Sequence, residues 1–211
     1  MSSDSEAAGS FSLSCGGIIL AGGHSTRMGT SKAHLPFGNE LMLQRVVRIV
    51  GESVHPVVVV CAVGQDLPAL KSHVIIATDQ VAEQGPLQGL ATGLKALSGK
   101  CDAAFISACD APLLQSTFIQ RMIALLENHD IAVPFVGGFH HPLAAVYRVR
   151  VLSQTEALLS ADRRRPAFLF DMCDTRNVER DDLMDVDPQL ASLRNCNNAD
   201  DYRKALADAG I

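Results

Sequence analysis

The chain has 211 residues, a formal net charge of −5 and a hydrophobic content of 47%. This length is enough for one α/β domain with a large core and short for two. The acidic balance excludes a non-specific nucleic-acid binder, which would need a basic face. No apolar run reaches the ~18 residues of a membrane span. No Lys or Arg precedes Arg27, which argues against a signal peptide. We expect residues 1–14 to be a disordered leader and residues 15–211 to form a single domain.

Apolar runs alternate with amphipathic stretches, the pattern of a mostly parallel sheet flanked by helices. The continuous apolar runs predict strands that are buried on both faces. Two later runs, 130–136 and 142–148, are expected to pair as an antiparallel hairpin around Gly137 and Gly138. The other predicted strands are 17–21, 57–63, 74–79 and 102–110, and the predicted helices are 41–53, 87–98, 116–128 and 150–160.

Short polar residues and glycines suggest where the helices begin and end. Ser116 and Asn198 are expected to be N-caps. Gly99 and Gly210 are expected to end helices. The six cysteines show no C-x-x-C pair and no metal-ligand spacing. Because most of them lie in apolar runs, we expect free, buried thiols in a reducing cytoplasm.

The first predicted strand leads directly into the loop GGHSTRMGTSK, residues 22–32. Its glycines allow backbone N–H groups to turn towards an anion, and Arg27 and Lys32 add positive charge. The loop is not a Walker A motif, since its lysine does not follow a glycine directly, and it is not a G-x-G-x-x-G motif. A plain strand exit is the alternative. The two basic side chains favour phosphate binding over it.

Two later predicted strands end on an aspartate. Asp79 ends one of them at the carboxyl edge of the sheet, where open α/β sheets bind ligands; an ordinary strand–turn–helix joint explains this stretch equally well. Asp110 ends the other, in SACDAPLL. A carboxylate near a phosphate loop is a natural Mg²⁺ ligand, because magnesium prefers hard oxygens and often binds one or two carboxylates plus substrate phosphates. Helix capping by Asp110 is disfavoured because Ser116 is the better candidate for that role.

Two stretches in the second half of the chain could contact a second substrate. His140 and His141, in GGFHHPLAAVYR, lack the i, i+4 partner of a helical zinc site, so they indicate either a surface hairpin or a substrate-contact loop. The arginine cluster, which we define as Arg163, Arg164 and Arg165, is either a solvated charge run or a site for an anionic substrate. The two interpretations of the cluster are about equally good.

Three asparagines precede the last predicted helix, in NCNNADDYRKAL. Capping by Asn198 or Asp200 accounts for one polar residue at this position. It does not account for Asn195 and Asn197.

Taken in order, these stretches resemble one known family. LAGGHSTRMGTSK is similar to the L-A-G-G-x-S-x-R-M-G-x-x-K signature of nucleotidyltransferases of the molybdenum cofactor guanylyltransferase type. TDQVAEQGPLQG, CDAP, HPLAAVYR, RRRPAFLF and NCNNADDY also resemble it, from about Cys15 to the C-terminus. The first motif alone also resembles sugar-1-phosphate and cytidylyl transferases, and the later motifs narrow the resemblance to the guanylyltransferase branch. Cys61 stands where the family often has Asn, and a thiol cannot supply an amide's paired donor and acceptor.

The resemblance implies a Rossmann-like three-layer α/β/α sandwich of the nucleotide-diphosphosugar-transferase type. It implies that GMP is transferred from GTP to the terminal phosphate of molybdenum-molybdopterin, with release of pyrophosphate. Transient contact with molybdopterin-delivering proteins and with molybdoenzymes is expected, and neither nucleic acid nor a membrane is an expected partner. The alternatives are a molybdopterin cytidylyltransferase, a sugar-1-phosphate nucleotidylyltransferase, or a non-catalytic GTP-binding homologue. Such a homologue would be expected to lack Lys32 or Asp110, and this chain has both.

The same resemblance assigns roles to individual residues. Asp79 would bind GTP at a position suited to reading the guanine, and Asp110 would hold Mg²⁺ near the α-phosphate. Arg27 and Lys32 would neutralise charge on the departing pyrophosphate. The expected GTP-binding residues are Leu20, Ala21, Gly22, Gly23, Lys32, Asp79, Gly85 and Asp110. The candidates for the pterin side are His141, Arg163, Arg164, Arg165, Asn195 and Asn197.

Overall fold

A computed structural model describes residues 13–22, 31–80 and 85–211 of the chain. The predictions for Gly23 and Arg27 lie outside these residues. The strands are β1 (Cys15–Leu20), β2 (Pro36–Phe37), β3 (Glu40–Leu41), β4 (Val57–Ala62), β5 (Ile75–Asp79), β6 (Ala103–Ala108), β7 (Ile131–Val136), β8 (Phe139–His140), β9 (Val146–Arg148) and β10 (Thr175–Val178). The α-helices are α1 (Met42–Gly51), α2 (Pro86–Leu97), α3 (Ser116–Leu126), α4 (Leu152–Ser160), α5 (Ala167–Phe170) and α6 (Ala199–Asp208).

Eight strands form a mixed, mostly parallel sheet in the order β10-β7-β9-β6-β1-β4-β5, with β8 paired to β7. Strands β6, β1, β4 and β5 are parallel to one another, and β9 runs antiparallel between β6 and β7. Leu20 is opposite both Val60 of β4 and Ala108 of β6. The carboxyl ends of these strands therefore lie side by side at one edge of the sheet.

Helices cover both faces of the sheet. Ile19 of β1 packs into an apolar cluster that includes residues of α1 and α3. Ile18 and Leu20 point the other way, into a cluster that includes residues of α2 and α4. Because side chains alternate along a strand, an unbroken apolar run fits only where both faces are buried. The sheet is therefore the middle of three layers, as the sequence predicts.

Two glycines allow the helices to pack closely on β1. A Cβ added at Gly93 of α2 would lie 2.6 Å from Ile18 Cγ2. A Cβ added at Gly17 of β1 would lie 2.4 Å from Val50 Cγ1 of α1. Any larger side chain at either position would push a helix away from the strand that leads into the candidate site.

Most of the predicted elements are confirmed to within a few residues, but two predictions need correction. The turn at Gly137 (φ 64°) and Gly138 (φ 81°) joins β7 to the short β8, and the later β9 pairs with both β7 and β6. The predicted antiparallel pairing of the two runs is present between β7 and β9, but the additional strand β8 lies between them in the chain, so the simple hairpin is a three-strand arrangement. Ser116 is not an N-cap: α3 is capped at Gln115, and Ser116 Oγ instead donates a hydrogen bond to Glu52 Oε2 at 3.1 Å.

Asn198 is confirmed as an N-cap. Its Oδ1 accepts hydrogen bonds from the backbone N–H groups of Asp200 and Asp201, both at 2.9 Å. Gly99 and Gly210, each with φ 72°, follow the ends of α2 and α6 as predicted. No helix in the described part of the chain is long and apolar enough to cross a membrane.

Candidate active site

An ion pair between Lys32 and Asp110 lies at the carboxyl edge of the sheet. The backbone N–H of Cys109 donates to Leu20 O at 3.0 Å, so the chain leaving β6 stays beside β1 for one more residue and brings Asp110 to the edge. Lys32 begins a short 3₁₀ helix, Lys32–His34. Lys32 Nζ lies 2.6 Å from Asp110 Oδ2, and the two side chains are only 20% and 10% exposed.

The second carboxylate oxygen of Asp110 is buried. Within the described residues, Oδ1 has no hydrogen-bond partner. Leaving a buried polar atom unpaired costs about 1–3 kcal/mol, so this oxygen is suited to a ligand that arrives with the substrate. A hard divalent cation fits its chemistry. No group of three or more His, Cys, Asp or Glu residues that could hold a metal occurs in residues 13–22, 31–80 and 85–211.

The segment before α6 packs against this pair. Lys32 Nζ also donates to Asn197 Oδ1 at 3.4 Å, and the Cys196 backbone N–H donates to Asp110 O at 2.8 Å. Asn197 therefore belongs to the candidate site, as the sequence suggested. Within the described part of the chain, no hydrogen bond connects Asn195 to this cluster.

The start of the predicted phosphate loop is fixed at the end of β1. The Ala21 N–H donates to Val60 O at 2.8 Å. The side-chain amide of Gln65 donates from Nε2 to Ala21 O at 2.7 Å and accepts at Oε1 from the Ala62 N–H at 3.0 Å. Sequence reasoning missed Gln65, because nothing in VGQD marks a contact to a strand 44 positions earlier.

Asp79 and Gly85 lie further along the same edge. Asp79 is the last residue of β5, opposite Ala62 and two strands from β1. Gly85, at φ 76°, directly precedes Pro86 at the start of α2, a backbone conformation that favours glycine. A Cβ at Gly85 would lie 3.7 Å from Arg164 O. The structure thus places the arginine cluster beside the beginning of α2.

Residues 17–176 of the chain match the family model of the MobA-like NTP transferase domain. The chain belongs to this family. It is 35% identical to the probable molybdenum cofactor guanylyltransferase of Mycobacterium ulcerans strain Agy99 over 194 residues, 90% of this chain and 92% of that protein.

Two solved structures share the fold of this MobA-like transferase. Molybdopterin-guanine dinucleotide biosynthesis protein A of Archaeoglobus fulgidus superposes with a TM-score of 0.74 at 16% identity, over 92% of this chain and 98% of that one. The Rv0371c protein of Mycobacterium tuberculosis H37Rv, solved as a complex with manganese, superposes with a TM-score of 0.66 at 14% identity, over 92% of this chain and 99% of that one. These matches confirm the expected fold type.

The arginine cluster of this MobA-like transferase is exposed and partly engaged locally. The Arg163 guanidinium carbon lies 3.9 Å from the centroid of the Phe168 ring. Arg164 Nη2 lies 2.7 Å from Asp162 Oδ1. Both the solvated and the anion-binding interpretations fit these contacts.

The two histidines lie beside the carboxyl half of β7: His140 of β8 is opposite Phe135, and the His141 N–H donates to Pro134 O at 2.9 Å. His140 Nε2 lies 3.0 Å from Asn177 Oδ1, and its ring is held between Phe135 and Phe170, with centroid distances of 4.8 and 4.7 Å. His141 is half-buried, and burial lowers its pKa, with a smaller contribution from His140. His140 is therefore fixed by its neighbours, whereas His141 is the better candidate for contact with a substrate.

The thiols near the site are poor nucleophiles. Burial raises the pKa of Cys109 to about 12 and that of Cys196 to about 11, and the Asp110 carboxylate contributes to both increases. Both thiols are therefore protonated at neutral pH. Cys61, also buried, donates a weak hydrogen bond from Sγ to Ala77 O at 3.8 Å. All six cysteines are free, as the sequence predicts.

Proposed function

We propose that this MobA-like transferase transfers GMP from GTP to the terminal phosphate of molybdenum-molybdopterin, forming the guanine dinucleotide cofactor and pyrophosphate. The observation that carries the proposal is the buried Lys32–Asp110 pair beside the start of the phosphate loop. The 35% identity to a relative named as a probable molybdenum cofactor guanylyltransferase supports the choice of substrates.

The GTP-binding residues are proposed along the edge formed by β6, β1, β4 and β5. The triphosphate would lie over the β1 end and contact Lys32, while Asp79 would lie under the base, two strands away. The span across several strands suits an extended nucleotide. The proposed set is Leu20, Ala21, Gly22, Gly23, Lys32, Asp79, Gly85 and Asp110.

The chemistry requires no nucleophile from the protein. The terminal phosphate of molybdopterin is already anionic at neutral pH, and attack at the α-phosphate of GTP forms the new P–O bond while the bond to pyrophosphate breaks. The obstacle is bringing two anions together, so positioning and charge neutralisation supply the catalysis. Lys32, Arg27 and the backbone N–H groups of the loop would bind the charge that develops on pyrophosphate. The protonated state of Cys109 and Cys196 is consistent with this scheme.

Asp110 is the proposed ligand of Mg²⁺. Its buried Oδ1 fits a hard cation, and Lys32 already occupies the other oxygen. When bound, Mg²⁺ supplies Lewis-acid stabilisation of charge on the α-phosphate. Lys32 keeps the carboxylate oriented, since its ammonium holds Oδ2 in one position.

The pterin side is proposed to include Asn197, which contacts Lys32 and so lies next to the reacting centre. His141, whose N–H bonds to Pro134 O of β7, is also proposed to contact the second substrate. Asn195 and the arginine cluster are further candidates for binding the anionic second substrate. We place the reaction in the cytoplasm, with transient contact to proteins that deliver molybdopterin and to molybdoenzymes.

A nucleotide panel tests the proposal. Isothermal titration of GTP, CTP and ATP with Mg²⁺ is expected to show preferred binding of GTP, and pyrophosphate release should require both GTP and molybdenum-molybdopterin. Preferred binding of CTP would support the cytidylyltransferase alternative instead. Tight GTP binding without pyrophosphate release in the presence of the second substrate would indicate a non-catalytic homologue.

A further inference from the structure

The side-chain amide of Gln65 lies between the ends of β1 and β4, where a backbone hydrogen bond would otherwise join the two strands. In a pair of parallel strands, each bonded residue faces a partner on the neighbouring strand. Its N–H group bonds to the residue before that partner, and its C=O group bonds to the residue after it. Ala21 makes the first of these bonds directly, through its N–H to Val60 O at 2.8 Å. The second would join the Ala62 N–H to Ala21 O. The Gln65 amide is inserted there, accepting from Ala62 at 3.0 Å and donating to Ala21 at 2.7 Å.

The inserted amide separates the two strand ends without leaving a backbone group unpaired. A carboxamide carries a donor and an acceptor side by side, so it can satisfy both an N–H and a C=O group at once. Leu20 and Val60 are the last pair in register. Beyond them, the amide holds β1 and β4 apart at the edge where the nucleotide is proposed to bind.

The same contact orients the first amide of the phosphate loop. The peptide between Ala21 and Gly22 is planar, and its C=O and N–H point in opposite directions. Since Gln65 draws the Ala21 C=O towards β4, the Gly22 N–H points towards the β6 side, where Asp110 lies. Gly22 is exposed, and its N–H makes no hydrogen bond within the described residues. An anion between β1 and β6 can therefore accept from it.

We propose that Gln65 is a positioning residue for the nucleotide, which fixes the strand opening and aims the Gly22 N–H at a phosphate. This inference rests on the proposed nucleotide site. Gln65 does not itself need to contact the substrate. Its role is to hold one peptide plane in place, so that the donor does not have to reorient when the triphosphate binds.

The chain offers a matched control in Gln44. Its side-chain amide makes the same pair of contacts, accepting from the Leu41 N–H at 3.0 Å and donating to Ala69 O at 2.8 Å, but it lies at the start of α1. Gln65→Leu and Gln44→Leu each remove two amide hydrogen bonds while preserving side-chain bulk. Both variants are expected to melt at a lower temperature than the wild type, so the thermal shift reports the structural part of the effect.

The experiment compares GTP affinity by isothermal titration with Mg²⁺, and KM for each substrate by pyrophosphate release. Gln65→Leu is expected to weaken GTP binding about tenfold and to raise the KM for GTP but not for molybdenum-molybdopterin. Gln44→Leu should leave the GTP affinity within about twofold of the wild type. GTP affinity unchanged in Gln65→Leu, or equal losses in the two variants, would overturn the inference.

A second titration separates this inference from the proposed function. If the wild type prefers CTP or ATP, the guanylyltransferase proposal fails, and the same two variants titrated with the preferred nucleotide still decide the role of Gln65. If the wild type binds no nucleoside triphosphate, both proposals fail. Gln65→Glu gives an additional check, because a carboxylate has no donor for Ala21 O and should weaken nucleotide binding at least as much as Gln65→Leu.

Discussion

Lys32 Nζ lies 2.6 Å from Asp110 Oδ2, although the two residues are 78 positions apart in the chain. Lys32 follows the loop after β1, and Asp110 follows β6, so their meeting depends on the parallel pairing of these two strands. The pair satisfies one carboxylate oxygen and leaves Oδ1 buried and open to a ligand. A phosphate that reaches this edge can share the Lys32 ammonium, because that group carries three donors.

Asp110→Ala is expected to abolish turnover and leave the fold intact. The Cys196 N–H bonds to the backbone oxygen of Asp110, which the substitution keeps. We expect pyrophosphate release to fall at least about a hundredfold, the scale seen when one preorganised electrostatic group is removed. Asp185→Ala, which removes an aspartate paired with Arg121 on the surface, is the control and should retain activity. Mg²⁺-dependent turnover that persists in Asp110→Ala would rule out the metal role.

Lys32→Ala is expected to weaken GTP binding by ~1–3 kcal/mol, the scale of a lost charge-assisted hydrogen bond. Isothermal titration measures this directly. Lys204→Ala, on the exposed face of α6, removes the same charge away from the sheet edge and should leave the affinity unchanged. An identical GTP titration for Lys32→Ala and the wild type would contradict a phosphate contact.

Lys32→Ala should also destabilise the protein without nucleotide, because it leaves the mostly buried Asp110 carboxylate without its counter-ion. If Asp110 binds Mg²⁺, added Mg²⁺ should raise the melting temperature of this variant more than that of the wild type. Equal shifts would indicate that the metal binds elsewhere.

Asp79→Ala is expected to reduce the preference for GTP over CTP and ATP, with a smaller effect on the affinity for the triphosphate moiety. Asp79 lies at the end of β5, two strands from the β1 loop, so in the proposed binding mode it contacts the base and not the triphosphate. Competitive titration of the three nucleotides measures the preference. Asp66→Ala removes a 94% exposed carboxylate from the loop after β4 and controls for the change in net charge. Unaltered selectivity in Asp79→Ala would exclude a role in base recognition.

His141 gives the stability a pH dependence of known sign. Burial lowers its pKa in the folded state below the ordinary 6.5. The unfolded chain therefore binds more protons near this pH, and the contribution of His141 to stability is present above pH 6.5 and is lost as the pH falls through the folded pKa. The decrease in melting temperature from pH 7 to pH 5 should be smaller in His141→Gln than in the wild type. Equal decreases in His141→Gln and the wild type would contradict this contribution of His141.

The sequence predicts the fold where burial on both faces produces an unbroken apolar run. Strands β1, β4 and β6 have this signature, and each is found in place. The run in β10, Thr175–Val178, is mostly polar because the strand is at the edge of the sheet, so no pattern marks it. The predicted N-cap at Ser116 is wrong by one position, because the extended residue that precedes α3 is Gln115, whose side chain makes no capping hydrogen bond.

The candidate site likewise contains residues that the sequence predicts and residues that it does not. Lys32 and Asp110 could be predicted because each has a chemistry that suits a phosphate or a metal and follows a predicted strand. Gln65 could not, because an amide in a loop acquires its role only where β1 and β4 separate, and that separation is a property of the folded sheet. Asn197 was predicted with Asn195, and only the packing of residues 195–198 against Asp110 distinguishes the two.

Asp187 is expected to hold in place the segment that carries Asn197. Asp187 is 1% exposed. Its Oδ1 accepts hydrogen bonds from Gln115 Nε2 at 3.1 Å and from the Ala191 N–H at 2.9 Å. Its Oδ2 accepts a hydrogen bond from the Ser192 N–H at 2.8 Å. Asp187→Ala leaves these three donors without their acceptor, so we expect a loss of about 3 kcal/mol or more in the free energy of unfolding.

Urea titration measures this loss, with Asp185→Ala on the surface expected to stay within about 0.5 kcal/mol of the wild type. Asp187→Asn, which keeps an acceptor oxygen, should lose less than Asp187→Ala. A loss for Asp187→Ala no larger than that of Asp185→Ala would show that the turn Ala191–Leu193 forms without this carboxylate.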